Sequence, residues 1–362
     1  MSDMAQKPDL RDLTAEQLAR LLADLGEKPF RARQVSQWLH GHGVDDIADM
    51  TSLSKALRAK LSAVGRLTAM GPAKVLQSAD GTRKLLFLLE DGQAIESVLM
   101  PEDGHHTLCV STQVGCRQGC RFCATASLGL RRNLRPAEIL GQVLAARRLC
   151  DEFRPLTNLV FMGMGEPLDN LDNVIVALGH ILGEHGLQMS QRRVTVSTVG
   201  LVDRLPLLAA ASPCALAISL NAPNEHIRRQ IMPVTKRFGL EALRRAIVDY
   251  PLKPTRRVTL EYVLLGGVND RPEHARELAR WAKGLPVKVN LIAFNPHQAG
   301  PFQAPEAAAV EEFQNVLIEG HVTALLRRSR GQDIAAACGQ LVAGQSADGA
   351  PGQPLTGPQA SA

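Results

Sequence analysis

No run of about 18 apolar residues occurs anywhere in the 362-residue sequence, which leaves no candidate for a helical membrane span. A secretory leader is missing too: Met1 to Asp9 are polar and carry acidic as well as basic groups, so a cytoplasmic protein without membrane contact is expected. An excess of either charge is nearly missing overall, with 41 basic residues against 36 acidic ones. A formal net charge of +5 on a chain this long says little about partners by itself. A disulfide framework is also unexpected, because seven is an odd number of cysteines and three of them fall within eight positions. Without an export signal, that pattern points to metal binding or catalysis in a reducing compartment. With 45% hydrophobic and 21% charged residues, the chain is able to bury one large domain plus an accessory one.

Charge distribution is more informative than net charge. Between Arg117 and Arg148 there are seven arginines against one acid, Glu138, and a second basic stretch includes Arg228, Arg229, Lys236, Arg237, Arg244, Arg245, Lys253, Arg256 and Arg257. Such patches favour a polyanion, although each arginine taken singly is as readily a solvated helix residue.

Residues 1–72 read as a small accessory module of short helices, to which the family resemblance set out below assigns RNA binding. Thr14 with Gln17 makes a capping box, Pro29 begins a second helix and Ser54 opens a third. Residues 73–101 change to short apolar stretches separated by Asp80-Gly81 and Asp91-Gly92, the pattern of a β-meander. From 102 to 342 strands alternate with helical segments: TLCVST, NLVFMG, RVTVST, ALAISL, RVTLEYVLL, VKVNLIAF and TALLRRS. Repeated βα units of this kind imply an α/β fold with a parallel sheet, and polar or glycine-rich residues after nearly every strand favour a partial (βα) barrel. Residues 343–362, rich in Gly, Pro, Ala, Ser and Gln, are expected to be disordered.

Cys116, Cys120 and Cys123 follow the first barrel strand with the spacing C-x3-C-x2-C, and Gly115 and Gly119 let the backbone wrap around them. A structural zinc site closes four ligands and a ferredoxin cluster uses four cysteines. A compact trio with no local fourth partner suggests a [4Fe-4S] cluster with one open iron.

This spacing resembles the radical S-adenosylmethionine (SAM) signature. The wider segment TLCVSTQVGCRQGCRFCATASLGLRRNL is similar to the RNA adenine-C2 methyltransferases that act on 23S rRNA and tRNA. The likeness continues in order through GMGEPLDN, VTVSTVG, AISLNAPN, LEYVLLGGVND, IAFNP and SRGQDIAAACGQL, so it covers nearly the whole chain. It implies that Cys116, Cys120 and Cys123 ligate three irons while the fourth chelates SAM. It also implies that Gly165 and Glu166 bind the amino-acid part of SAM, and that Ser197, Ser219, Leu220, Asn221 and Asn295 hold the rest. By themselves these residues read otherwise: Gly165 as a turn, Glu166 as a helix cap and Asn295-Pro296 as a loop pair.

Adenine C2 lies between two ring nitrogens and is too electron-poor to attack the methyl group of SAM, so a radical route is required. The resemblance implies that Cys338 carries the methyl group, that two SAM molecules are used per turnover, and that a Cys338–RNA adduct is resolved by Cys109 with formation of a Cys109–Cys338 disulfide. Glu96 matches the family's proton acceptor. An external electron donor such as flavodoxin or ferredoxin, and a monomeric state, complete the expectation. Taken alone, Cys109 reads as a buried strand residue and Cys338 as a helix residue among alanines, and Cys150 and Cys214 match no motif and read as core. Three alternatives stay open at this stage. They are an adenine-C8 methyltransferase, an iron-sulfur RNA-binding protein without catalysis, and a radical SAM enzyme acting on a small metabolite.

Overall fold

The computed structural model describes residues 7–297 and 300–343, so the expected disordered tail lies outside the described residues except for Ala343. The chain begins with α1 (Ala15–Asp24), α2 (Phe30–Ser36) and α3 (Lys55–Val64). Local chemistry sets their starts. Thr14 Oγ1 accepts from the Gln17 amide at 3.2 Å while Gln17 Oε1 accepts from the Thr14 amide at 2.8 Å, α2 starts directly after Pro29, and Ser54 Oγ accepts from the Leu57 amide. These helices enclose a core of their own, including Leu10, Leu18, Leu22, Val35, Leu39, Leu57 and Leu61.

Three antiparallel strands follow: β1 (Lys74–Gln77), β2 (Arg83–Leu88) and β3 (Ala94–Glu102). The two turns between them place Gly81 and Gly92 at φ +83° and +79°, a region that side chains with a Cβ disfavour. The meander continues without a break into β4 (His105–Cys109), where the pairing turns parallel. A small antiparallel pair, β5 (Gln113–Gly115) and β6 (Leu130–Asn133), flanks the three-cysteine loop.

Beyond it come α4 (Pro136–Arg148), β7 (Leu156–Phe161), α5 (Leu171–Leu182), β8 (Val194–Thr198), α6 (Leu205–Ala211), β9 (Ala215–Ser219), α7 (Glu225–Ile231) and α8 (Leu240–Asp249). The chain then runs through β10 (Val258–Leu264), α9 (Pro272–Ala282), β11 (Val287–Ala293), α10 (Ala307–Glu319) and β12 (Ala324–Arg327). The sheet order is β1-β2-β3-β4-β7-β8-β9-β10-β11-β12, with every pair from β4 onwards parallel. Among the described residues β1 and β12 do not pair with each other, so the barrel is partial. Helices intervene between consecutive parallel strands, which is why those strands read as nearly continuous apolar runs. A single apolar core spans the sheet and its helices.

The helical module is fastened to this core by polar contacts. Asp12 Oδ1 accepts from the Ala137 amide at 2.9 Å, and its other oxygen pairs with Arg135 at 2.7 Å. His40 stacks on His180 of α5 with ring centroids 3.8 Å apart.

Candidate active site

The carboxyl ends of the parallel strands open into a cavity of about 1370 Å³, its open mouth included. Five cysteines line it: Cys109 at the end of β4, Cys116, Cys120 and Cys123 in the loop after β5, and Cys338 near the end of the described chain. Gly165, Glu166, Ser197, Ser219 and Asn221 line the same cavity, whereas Leu220, Asn295 and Glu96 do not. Cys150 and Cys214 lie elsewhere; Cys150 is half-buried with its thiol on the Ala146 carbonyl, and Cys214 is buried.

The cysteine loop is shaped by close backbone approach. Gly115 has φ +75°, and a Cβ there would stand 1.8 Å from the Gly129 carbonyl oxygen, which also accepts from the Cys116 amide at 3.0 Å. Burial pushes the Cys116 thiol up to about 12 and the Cys120 thiol well above its ordinary range, so ionisation needs a cation. The donor set fits a cluster rather than one ion. Among the described residues no three His, Cys, Asp or Glu side chains converge closely enough to hold a single metal. A four-iron cube takes each thiolate on a different iron and leaves the fourth iron open.

Glu166 is held from three sides. Its amide donates to Gln113 Oε1, Oε1 accepts from the Leu168 amide at 3.0 Å and Oε2 from the Val199 amide at 2.9 Å. Burial nevertheless pushes its carboxyl up to about 7. Its neighbour Gly165 sits at φ +103°, where a Cβ would meet Gln113 Cβ at 2.6 Å. Asn221 serves as a brace: at φ +56° it turns the chain, and its Oδ1 accepts from the Val263 amide. Asn295 Oδ1 accepts from Gln332 Nε2 at 2.6 Å, while Asn295 Nδ2 is buried without a partner among the described residues.

The segment after β12 brings Cys338 to the cavity. Asp333 Oδ1 accepts from Ser78 Oγ, the Gly331 amide donates to Asp80, the Ala124 amide donates to the Gly339 carbonyl at 2.7 Å, and Thr125 Oγ1 donates to the Leu341 carbonyl. The segment thus lies across the β1–β2 turn and the cysteine loop. Its cysteine occupies a turn after a short 3-10 stretch, Gln332–Ile334, and not the helix that the run of alanines suggests. Cys338 is open to the cavity, yet protein packed around it pushes its thiol up to about 11; Cys109, more deeply buried, rises to about 12. All seven cysteines are free thiols.

Glu96 lies behind this segment. Its Oε2 accepts from the Val342 amide at 3.0 Å and its Oε1 pairs with Lys84 at 3.3 Å.

The basic stretches are largely satisfied internally, which narrows the polyanion surface expected from sequence. Arg117 pairs with Asp169, Arg132 with Asp91 and Glu138, Arg135 with Asp12 and Glu90, and Arg148 with Asp45. Arg228 is a buried clamp on the Val199, Ser219 and Leu220 carbonyls at the ends of β8 and β9, not a surface charge. Arg131 and Arg328 are exposed and pair with no acid among the described residues. Arg328 lines the cavity beside Arg327. Sequence reasoning did not single out Glu261 or Arg327, which line the cavity, and took Arg228 only as part of a basic stretch; the signal for the first two was a charge inside or at the end of an apolar run.

A parallel-strand partial barrel with a three-cysteine loop at its carboxyl end defines the class. The Radical SAM superfamily matches residues 110–282, and its members use a [4Fe-4S] cluster and SAM. The Ribosomal RNA large subunit methyltransferase N-terminal domain matches residues 8–67. The chain is 51% identical to the dual-specificity RNA methyltransferase RlmN of Anaeromyxobacter dehalogenans, covering 96% of this chain and 94% of that one. It is 46% identical to that of Geobacter sulfurreducens, covering 92% and 91%. A crystal structure of a radical SAM methyltransferase from Sphaerobacter thermophilus superposes with a TM-score of 0.87 at 44% identity, covering 93% of this chain and 99% of that one. The chain belongs to the RlmN family of dual-specificity RNA methyltransferases.

Proposed function

We propose that the protein methylates C2 of one adenine in 23S rRNA and one in tRNA, with Cys338 as methyl carrier and Cys109 as the thiol that releases the product. The observation that carries this reading is that two free cysteines, from β4 and from the end of the described chain, share one cavity with the three-cysteine loop. Cys116, Cys120 and Cys123 would hold the cluster, and Gly165, Glu166, Ser197, Ser219 and Asn221 would border bound SAM. Leu220 and Asn295 would contribute from behind, through the backbone and the free Asn295 amide. The bound cluster supplies the one-electron chemistry that makes a carbon radical available from SAM.

The chain's own residues do the rest. Cys338 Sγ takes a methyl group by displacement of S-adenosylhomocysteine, and one hydrogen atom of that S-methyl group would pass to the carbon radical derived from a second SAM. The methylene radical left on Cys338 adds to adenine C2, and loss of the C2 proton and of one electron, which the bound cluster would accept, leaves the RNA joined to the protein through a thioether. The Cys109 thiolate then attacks Cys338 Sγ, the Sγ–CH2 bond breaks, and the released carbon takes a proton to become the new methyl group. For Glu96 to accept the C2 proton, its bond to the Val342 amide has to open. An electron donor of the flavodoxin or ferredoxin type belongs to the same proposal.

The test is anaerobic reconstitution with iron and sulfide, followed by nuclease mapping and mass spectrometry of rRNA and tRNA fragments. A methyl group on C2 is expected. A methyl group on C8, or none on RNA, overturns the proposal.

A further inference from the structure

Glu261 is the one charged residue of β10, VTLEYVL. Strand register sets it between Ser219 of β9 and Asn290 of β11, and both it and Val263, two residues on, line the cavity. Its Oε1 accepts from Asn290 Nδ2 at 3.1 Å, while Oε2 is buried without a partner among the described residues. A buried carboxylate oxygen left unpaired costs stability, so it is expected to serve a group that enters the cavity or moves at its wall. The charged groups acting on it are Arg327 at the end of β12 and Lys288 of β11, and its own charge acts on the Cys338 thiol. Arg327 itself meets only the thioethers of Met162 and Met100, at 3.9 and 4.0 Å, and no carboxylate at ion-pair distance among the described residues. Burial raises the Glu261 carboxyl above its ordinary range.

Cys338 faces the complementary problem. Its sulfur opens to the same cavity and must attack a methyl group, yet even a thiol at the ordinary pKa of about 8.5 is mostly protonated at neutral pH, so the proton needs an acceptor.

We infer that Glu261 is the general base that takes the thiol proton of Cys338 as the sulfur is methylated. This rests on the methyl-carrier role proposed for Cys338. The Sγ–H bond and the bond from the methyl carbon to the sulfonium sulfur of SAM break, and the Sγ–CH3 bond forms. S-adenosylhomocysteine leaves with the electron pair of the broken carbon–sulfur bond, and the proton passes to Glu261 Oε2. Positive sulfonium and negative carboxylate thereby both become neutral. Arg327 keeps Glu261 ionised until the proton arrives.

The test reads the sulfur directly, without SAM: alkylation of Cys338 by iodoacetamide on the anaerobic, cluster-loaded full chain, followed by peptide mass spectrometry across neutral and alkaline pH. The natural protein should show two limbs, a lower one where Glu261 ionises and an upper one where the thiol does. Glu261→Gln should abolish the lower limb, slow alkylation at neutral pH about tenfold or more, and move the upper limb to lower pH, because a negative neighbour has gone. A purely structural role would scale both limbs without shifting either, and an unchanged lower limb overturns the inference. Arg327→Gln is the second variant. It should move the lower limb to higher pH, and a limb that stays in place counts equally against the base.

Methyl loading separates the two readings. If the natural protein incubated with SAM never gains a methyl group on the Cys338 peptide, the carrier reading fails and this inference falls with it. If it does, and Glu261→Gln loads at the same rate, only the inference fails.

Discussion

Cys120 is the most buried of the three clustered thiols, and its alanine variant isolates the ligand role from packing. Removing one buried sulfur costs roughly 1–3 kcal/mol, so the chain should stay folded while the visible absorbance of the cluster and all methylation disappear. Iron retained near four per chain would contradict the ligand assignment. Glu166 yields a pH prediction for the cofactor-free protein. Its carboxyl is raised from 4.5 to about 7, so the unfolded chain releases this proton first as pH rises. Stability from this group is therefore complete below pH 4.5 and falls by roughly 3 kcal/mol towards pH 7. The difference in melting temperature between the natural protein and Glu166→Gln should change across that window, and a constant difference would refute the shift. That Cys116, Cys120 and Cys123 come together was legible because their spacing is local. The environment of Glu166 was not, since one of its partners, Val199, lies just past the end of the next strand, and Arg228 looked like a surface charge because nothing local marks the three carbonyls it clamps.

At the level of elements, the two stacked histidines tie the wide turn after α2 to α5. His180 is lowered to about 4 by burial, and His40 is held well below its ordinary value by burial and by His180. The sign follows from proton binding. The unfolded chain takes up protons below about pH 6.5 while the folded one refuses them, so stability is complete above 6.5 and is lost as pH falls towards 4, by roughly 3 kcal/mol for His180 alone. His180→Gln should flatten that acid limb relative to the natural protein in thermal melts from pH 7 to pH 4. An unchanged limb would mean that the pair does not govern acid sensitivity. Helix starts at Thr14 and Ser54 and the turns at Gly81 and Gly92 were readable because each depends on residues within a few positions. The placement of Cys338 was not readable from its own neighbourhood. Its segment is positioned by Ser78, Asp80, Ala124 and Thr125, all more than two hundred residues away, and the run of alanines around it suggests helix where the chain instead makes a turn.

Across the whole molecule, the order of βα units announced the parallel sheet, whereas the fate of its charges depended on tertiary pairing. Phosphate contacts are expected from arginines that the protein itself leaves unpaired. Arg131→Ala and Arg328→Ala should each lower the slope of log affinity for single-stranded RNA against log salt by about 0.7. Arg132→Ala, whose side chain is fixed on Asp91 and Glu138, should leave the slope unchanged; fluorescence anisotropy at graded salt decides between them. The central claim is that two cysteines, 229 positions apart in the sequence, act at opposite ends of one reaction. If both merely packed the cavity wall, each alanine variant would cost stability of roughly 1–3 kcal/mol and leave turnover qualitatively intact. The most direct measurement is a denaturing gel of Cys109→Ala and Cys338→Ala, each reconstituted with cluster, SAM, reductant and labelled RNA. The account predicts a shifted, nuclease-sensitive protein–RNA band for Cys109→Ala, which forms the adduct and cannot resolve it, and none for Cys338→Ala. The same pattern in both variants would contradict it.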